Sequence, residues 1–407
     1  MKRSAKVATL LLLCLATLGL PGCYGSADID DLALVMAVGI DKGSDPDSVQ
    51  VTAQVARPAD VVGQTGAPSG GTGEPIWTAS ATGDSIFTAM RNLGRYSSRR
   101  VYWAQNAVVV ISEDYARERG VHDVVDFFTR NHELRMRTWV TLTPGQARDI
   151  VATKTGLEVV PGTSIEKLFR QARSVAEAPR IDMRTMQADY MSEGMNTVLP
   201  VVETESRGVS SEQSEEFGST PQVELSGAGY FKQGKLAGVL DSKQSQGLMW
   251  FIQPPESRAI ALPCPSGGQG KASLELKRRT FDVIPTYQRG RVGFDVRLNA
   301  GFDIVELGCT TSETHEQVIR QLTPQVESML KDEIKGIIQT ELQSRADFLG
   351  LGDRFEDRYP MEWRALRLKW YDALDQAVIR VQVHAHIRSG VLLRTPTRPD
   401  SPGRSRL

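Results

Sequence analysis

The first twenty-three residues, MKRSAKVATLLLLCLATLGLPGC, decide where the rest of this chain can fold. Lys2, Arg3 and Lys6 make a positive start, Val7 to Leu20 is an apolar run, and Leu20-Pro21-Gly22-Cys23 sets small residues before a cysteine. At about 1.5 Å per residue such a run reaches roughly 21 Å as a helix, short of a hydrocarbon core of about 30 Å. Residues 1–22 therefore read as an export signal, cut so that Cys23 becomes the lipid attachment residue. Pro21 is an unusual residue at such a cleavage site. A diacylglyceryl thioether on Cys23 places two acyl chains in the outer leaflet. Each buried methylene contributes about 0.8 kcal/mol, and two chains anchor where one is marginal. No later segment approaches about eighteen consecutive apolar residues. The expectation is an extracytoplasmic body held on a membrane face without crossing it.

Charge narrows the partners. Losing Lys2, Arg3 and Lys6 with the signal leaves 45 basic against 49 acidic residues, a net charge of −4, which gives no footprint for nucleic acid. Cys14 leaves with the signal and Cys23 takes lipid. Cys264 and Cys309 remain, in a compartment where a disulfide persists; a bridge and two separate thiols both stay open.

Periodicity predicts strands at Leu32–Ile40, Ser48–Ala56, Ala107–Ile111 and Met136–Leu142. Helices are predicted at Asp84–Leu93, from Ser112, at Val121–Thr129, Ser164–Val175 and Arg184–Met191. The Gly/Pro-rich stretch Arg57–Pro75 reads as a mobile loop; its glycines fit neither a dinucleotide nor a P-loop pattern. Residues 23–202 form the expected N-terminal domain. The polar run 203–222 reads as a linker, 223–390 as a C-terminal domain and 391–407 as a disordered Pro/Arg/Ser tail. In the second half, strands are predicted at Val223–Phe231, Lys235–Leu240, Ala272–Ile284, Val292–Val305 and Ala377–Ile387, with a short helix near Ser245–Ile252. The strongest helix lies between Glu313 and Phe348, where Val318, Leu322, Val326, Leu330, Ile334, Ile338 and Leu342 recur every four residues. Thr310 and Glu313 have capping-box spacing, and Pro324 either kinks this helix or marks its start. Strands and helices without strict alternation predict α+β architecture: mixed β-sheets flanked by helices, in several domains.

Catalytic chemistry finds little support. His384 and His386 share a strand face, but no cysteine or carboxylate cluster completes a metal set. No nucleophile elbow or His-Glu-x-x-His occurs. The carboxylate pairs Asp30-Asp31 and Glu215-Glu216 read as solvated surface charge. Arg130, His132, Glu133, Arg135 and Arg137 read as a salt-bridged helix end, with anion binding the sharper alternative. Trp363 and Trp370, seven apart, read as packing. No catalytic, cofactor-binding or metal residue is assigned.

Several segments in order resemble the Ger(x)C family of spore germination lipoproteins, the C subunits of germinant receptors. They are Ile29-Asp30-Asp31-Leu32-Ala33 with Gly39-Ile40-Asp41, and Asn106 to Glu113 running into Asp126-Phe127-Phe128-Thr129-Arg130. Gly229-Tyr230-Phe231-Lys232 follows, with Lys235-Leu236-Ala237-Gly238, Gly247 and Trp250. Last come Asp347-Phe348-Leu349-Gly350-Leu351-Gly352, Tyr359-Pro360, Trp363, Trp370, Ile387-Arg388 and Gly390. Tyr24 and Val239 stand where the family commonly has Trp, and the 57–75 loop and the tail after Gly390 look like additions. The resemblance implies a non-enzymatic α+β protein in about three domains, held on the outer face of the spore inner membrane. It further implies integral-membrane A and B receptor subunits as partners and a role in nutrient-triggered germination. The competing reading is an extracytoplasmic solute-binding lipoprotein of a transport system, which would need two similar α/β lobes around a hinge. An anchored cell-wall hydrolase would need an acid pair or metal set.

Overall fold

The computed structural model describes residues 31–388 except 57–75, 132, 155–157, 159, 173–175, 210–218, 266–269 and 310–313. Cys23, the Arg57–Pro75 stretch, Asp30, Glu215-Glu216, the Thr310/Glu313 pair and the 391–407 tail fall outside these residues.

Strands β1 (Leu32–Lys42), β2 (Val49–Ala56) and β3 (Ile76–Gly83) lead to helix α1 (Ile86–Leu93) and strand β4 (Arg100–Tyr102). Strand β5 (Val108–Ser112) is followed by α2 (Glu113–Glu118), α3 (His122–Arg130), β6 (Trp139–Thr143), α4 (Ala147–Ala152), α5 (Pro161–Gln171) and α6 (Met183–Met191). Then β7 (Val198–Val209), β8 (Ser219–Lys232) and β9 (Lys235–Asp241) complete a mixed sheet in the order β3-β2-β1-β5-β6-β7-β8-β9, with β4 also on β1. Strands β1, β4, β5, β6 and β7 run parallel along this sheet, and the outer strands pair antiparallel.

The near-continuous apolar run of β1 places it centrally, where both faces are covered: Val35, Val38 and Ile40 sit in the main core and Ala37 in a second cluster on the other face. The clean alternation of β2 predicts one buried face, yet Thr52 and Gln54 are also fully buried. Gln54 explains the exception. Its amide donates to the carbonyl of Val151 and its Oε1 accepts from Gly162 N at 2.8 Å, tying α4 and α5 to the sheet. Asp41, from the Gly39-Ile40-Asp41 motif, caps α4 by accepting from Ala147 N at 2.7 Å and Arg148 N at 3.0 Å.

The expected linker at 203–222 is corrected where its residues are described, at 203–209 and 219–222. Glu203, Thr204, Glu205 and Ser206 pair antiparallel with Glu224, Val223, Gln222 and Pro221. A ladder satisfies backbone groups without large apolar side chains, so paired strands can carry mostly polar residues, Val223 alone of these eight being buried in an apolar cluster. The first sheet consequently crosses the expected boundary between 202 and 223, and β8 and β9 belong to it. The change of sheet falls at Asp241, whose side chain forms a capping box with Gln244 at the start of α7 (Ser242–Ile252).

Strands β10 (Ala259–Pro263), β11 (Lys271–Gln288) and β12 (Arg291–Leu307) form an antiparallel second sheet, joined by β13 (Val378–Arg388) parallel to β12. Cys264 and Cys309 are bridged, with Cα atoms 5.5 Å apart. Between β12 and β13 run α8 (His315–Ser344), α9 (Leu351–Arg358), α10 (Pro360–Leu366) and α11 (Trp370–Asp375). The capping box of α8 is Thr314 with Gln317, four residues past the expected pair, and Pro324 lies inside the helix. The four-residue stripe packs as its spacing requires: Val318, Leu322, Val326, Leu330 and Ile334 are at most 1% exposed. Each contributes about 1.5–3 kcal/mol relative to solvent exposure. From the same helix Glu327 accepts from Ala385 N at 2.9 Å, covering the edge strand β13. One apolar core takes side chains from both sheets, so the two halves are joined by packing.

Candidate functional site

Two regions concentrate polar chemistry. The first is the joint between the halves, built from the Asp347-to-Gly352 motif. Asp347 is buried after the end of α8, and its carboxylate accepts from Leu351 N and Gly352 N at 2.7 Å and from Trp370 Nε1 at 2.7 Å. It thereby caps α9 and fixes α11 at once. Burial nevertheless pushes its pKa up to about 6, the three donors holding it from rising further. Glu341, also buried, accepts from Leu349 N at 2.6 Å; burial and the neighbouring Asp347 hold its pKa well above the carboxylate range.

The first half reaches this joint through residues 192–196. Asp353 N donates to Gly194 O at 3.0 Å, Ser192 Oγ donates to Asp353 Oδ1 at 2.5 Å, and Asn196 N donates to Asp347 O at 2.6 Å. Tyr371 donates to Asn196 Oδ1 at 3.0 Å, and Tyr230 of β8 stacks on Phe348 at 4.7 Å. Gly352 sits so close that an added Cβ would lie 2.5 Å from Gly194 O. Gly350 has φ of +67°, the left-handed conformation that favours glycine. Trp363 and Trp370, expected to pack, meet edge to face at 4.9 Å within the core. Asp189 on α6 feels Asp353 of the same joint: burial and the charge of Asp353 push its pKa up to about 7, and its Oδ2 has no hydrogen-bond partner among the described residues.

A further buried network braces the second half. Arg258 donates to both Glu333 oxygens at 2.8 and 2.9 Å and to Gln246 at 2.6 Å, while Trp250 Nε1 donates to Glu333 at 2.8 Å. Both charged side chains are 8% exposed. Gly247 permits this by letting α7 approach the backbone of α8 at Glu333.

The second region is a cleft of about 790 Å³ between α1 and α3. Phe87, Met90, Trp103 and Phe127 give it an apolar floor, and Arg91, Arg99, Arg100, Arg119 and Arg130 lie along its walls. Arg91 lies over the Phe87 ring at 5.1 Å, and a buried Nη1 of Arg119 has no partner among the described residues. Of the expected helix-end cluster, Arg130 pairs with Asp126 at 2.6 Å and Glu133 approaches Arg100 at 3.9 Å; Arg135 and Arg137 are exposed, and His132 lies outside the described residues. His384 and His386 are exposed on β13, and no group of three or more His, Cys, Asp or Glu among the described residues is placed to hold a metal. No helix among the described residues is long and apolar enough to cross a membrane.

Comparison with known proteins matches both halves. The family profile for the spore germination protein N-terminal domain covers residues 25–204, and that described as "Spore germination B3/ GerAC like, C-terminal" covers 226–390. The chain belongs to the GerAC-like spore germination family. It is similar to spore germination protein KC of Bacillus subtilis (strain 168), at 26% identity over 97% of this chain and 98% of that protein. Spore germination protein B3 of the same organism is 20% identical over 94% and 97%. The crystal structure of the GerBC protein shares the fold, with a TM-score of 0.53 and 18% identity over 88% of this chain and 99% of that one. The first profile ends at 204, inside β7, and the second begins at 226, inside β8, although the sheet itself runs through both paired strands.

The joint shows what the Asp347-to-Gly352 motif does for a member of this family: it locks the two halves together. Sequence reasoning quoted the motif but missed its partners Asp189, Glu341 and Asp353, which carry no local pattern. It also missed Arg91, Arg95, Arg99 and Arg100. The signal for these was available, since residues 85–112 contain four arginines and no acid.

Proposed function

We propose that this chain is the lipid-anchored subunit of a nutrient germinant receptor, held through Cys23 on the outer face of the spore inner membrane. It is required for germination as a scaffold or coupling subunit and performs no catalysis. The observation that carries this reading is the tiling of both family profiles, in order, across nearly the whole chain, with relatives aligned end to end. The joint supports a coupling role. A body whose halves share one core and a buried hydrogen-bonded lock moves as a unit, which is what a relay between membrane partners needs. Integral-membrane A and B subunits are the partners proposed, and the acyl anchor raises their effective concentration. The solute-binding alternative is less well supported, because a nine-stranded and a four-stranded sheet are not two similar lobes.

Deletion of the gene tests the proposal. Spores lacking the chain should fail to germinate with nutrients while germinating normally by a receptor-independent route. Normal nutrient germination in the deletion strain contradicts it.

A further inference from the structure

The direction of β1 identifies one end of the molecule. Strands β1, β4, β5 and β6 are parallel; Leu32 lies beside Arg100, and β5 and β6 begin with Val108 and Trp139 level with Ala37, so the segments that enter all four strands approach from the same side. The segments entering these strands carry an unusual charge. Arg91 and Arg95 close α1 and leave it, Arg99 and Arg100 enter β4, and Arg135 and Arg137 precede β6. All six are exposed. Among the described residues, only Arg100 of the six reaches a carboxylate, Glu133 at 3.9 Å. The other acids near it are Asp31, exposed, Asp123, which approaches Arg119 at 4.0 Å, Asp126, already paired with Arg130, and Asp182, which caps α6 and approaches Arg184 at 3.9 Å. Half-exposed Tyr96 stands among the arginines, its ring against Trp77. This concentration of positive charge sits on a mature chain whose net charge is −4.

We propose that this end is a membrane-facing surface that takes the headgroups of anionic phospholipids. The chain leaves the body here: only eight residues lie between Cys23 and Leu32, and the nine steps that join the two reach at most about 32 Å when fully extended. An acyl anchor at that distance holds this end, rather than the opposite one, against the bilayer. Clustered arginines near a surface are attracted to anionic lipid, and a Tyr among them suits the headgroup layer. The face would then set the orientation of the whole body, while the anchor supplies attachment. The inference rests on the proposed anchoring at Cys23 for the direction in which the face is presented.

The test removes that dependence by using the mature chain with Cys23→Ser, which has no acyl group. Vesicles of phosphatidylcholine alone and of equimolar phosphatidylcholine and phosphatidylglycerol are sedimented with the protein. Binding is expected only to the anionic vesicles and should weaken as salt is raised. Replacing Arg91, Arg95, Arg99 and Arg100 by Gln should reduce it by at least about tenfold. A control replacing Arg320, Lys331, Lys335 and Arg364, exposed on other elements, should bind as the parent does. Equal binding to neutral and anionic vesicles, or loss that is the same in both quadruple variants, overturns the proposal. So does failure of the parent to bind at low salt, even if Cys23 of the native protein proves to be acylated.

Discussion

The joint and the arginine-rich end solve opposite problems with the same kinds of residue. At the joint, acids are buried, each of Asp347's two oxygens has donors, and glycines bring two backbones into contact. At the other end, arginines stand exposed with few carboxylates in reach. A buried ionisable group loses solvation and must recover it from fixed donors; an exposed cation keeps its water and stays available to an external anion. The contrast separates residues that hold the body together from residues that can meet something else.

Predictions follow that contrast in decreasing size. Asp347→Ala leaves Leu351 N, Gly352 N and Trp370 Nε1 without their acceptor inside the core, and should destabilise the protein by about 3–5 kcal/mol. Chemical unfolding measures this, and a loss below about 1 kcal/mol would contradict the lock. Gly352→Ala forces Gly194 away and should lower stability by about 1–3 kcal/mol. A melting temperature equal to the parent's would show that the close approach is not needed.

Titration sharpens the comparison. Burial raises the folded-state pKa of Asp347 to about 6 and of Asp189 to about 7, above the ordinary aspartate value of 3.8. Between about pH 4 and pH 7 the folded state therefore holds protons that the unfolded chain has released, and stability falls as pH rises through this window. Asp189→Asn removes the ionisation. Its gain over the parent should grow from about pH 4 to about pH 7 and then level off, reaching on the order of 2 kcal/mol after allowance for partial exposure. A gain independent of pH would rule out Asp189 as the source. At the other end, Arg99→Gln with Arg100→Gln should leave stability within about 0.5 kcal/mol of the parent. A larger loss would make this end part of the structural frame.

Much of the fold was legible because single-element signals are local. The stripe from Val318 to Leu342, the apolar run of β1 and the alternation of β13 each depend on a few neighbouring residues, and each element formed near its expected bounds. Expectation failed where the deciding interaction was distant. The 203–222 segment looked like a linker because its residues are polar; its partner strand supplied the order. The capping box shifted from Thr310 to Thr314, both having a suitable residue three positions on, and only the helix start distinguishes them. The spacing of Cys264 and Cys309 left pairing open, whereas the ends of β10 and β12, on either side of the start of β11, bring them together. The motif at Asp347 was visible, but its role depends on Ser192 to Asn196, about 150 residues earlier in the chain.

Both the orientation proposed for the arginine face and the coupling proposed for the locked body require the polypeptide to be tied to the bilayer at its first mature residue. Intact mass spectrometry of the protein extracted from spore membranes tests this most directly. The account predicts a mature chain beginning at Cys23 with a diacylglyceryl group on its sulfur. An unmodified amino terminus, or one at another residue, contradicts it.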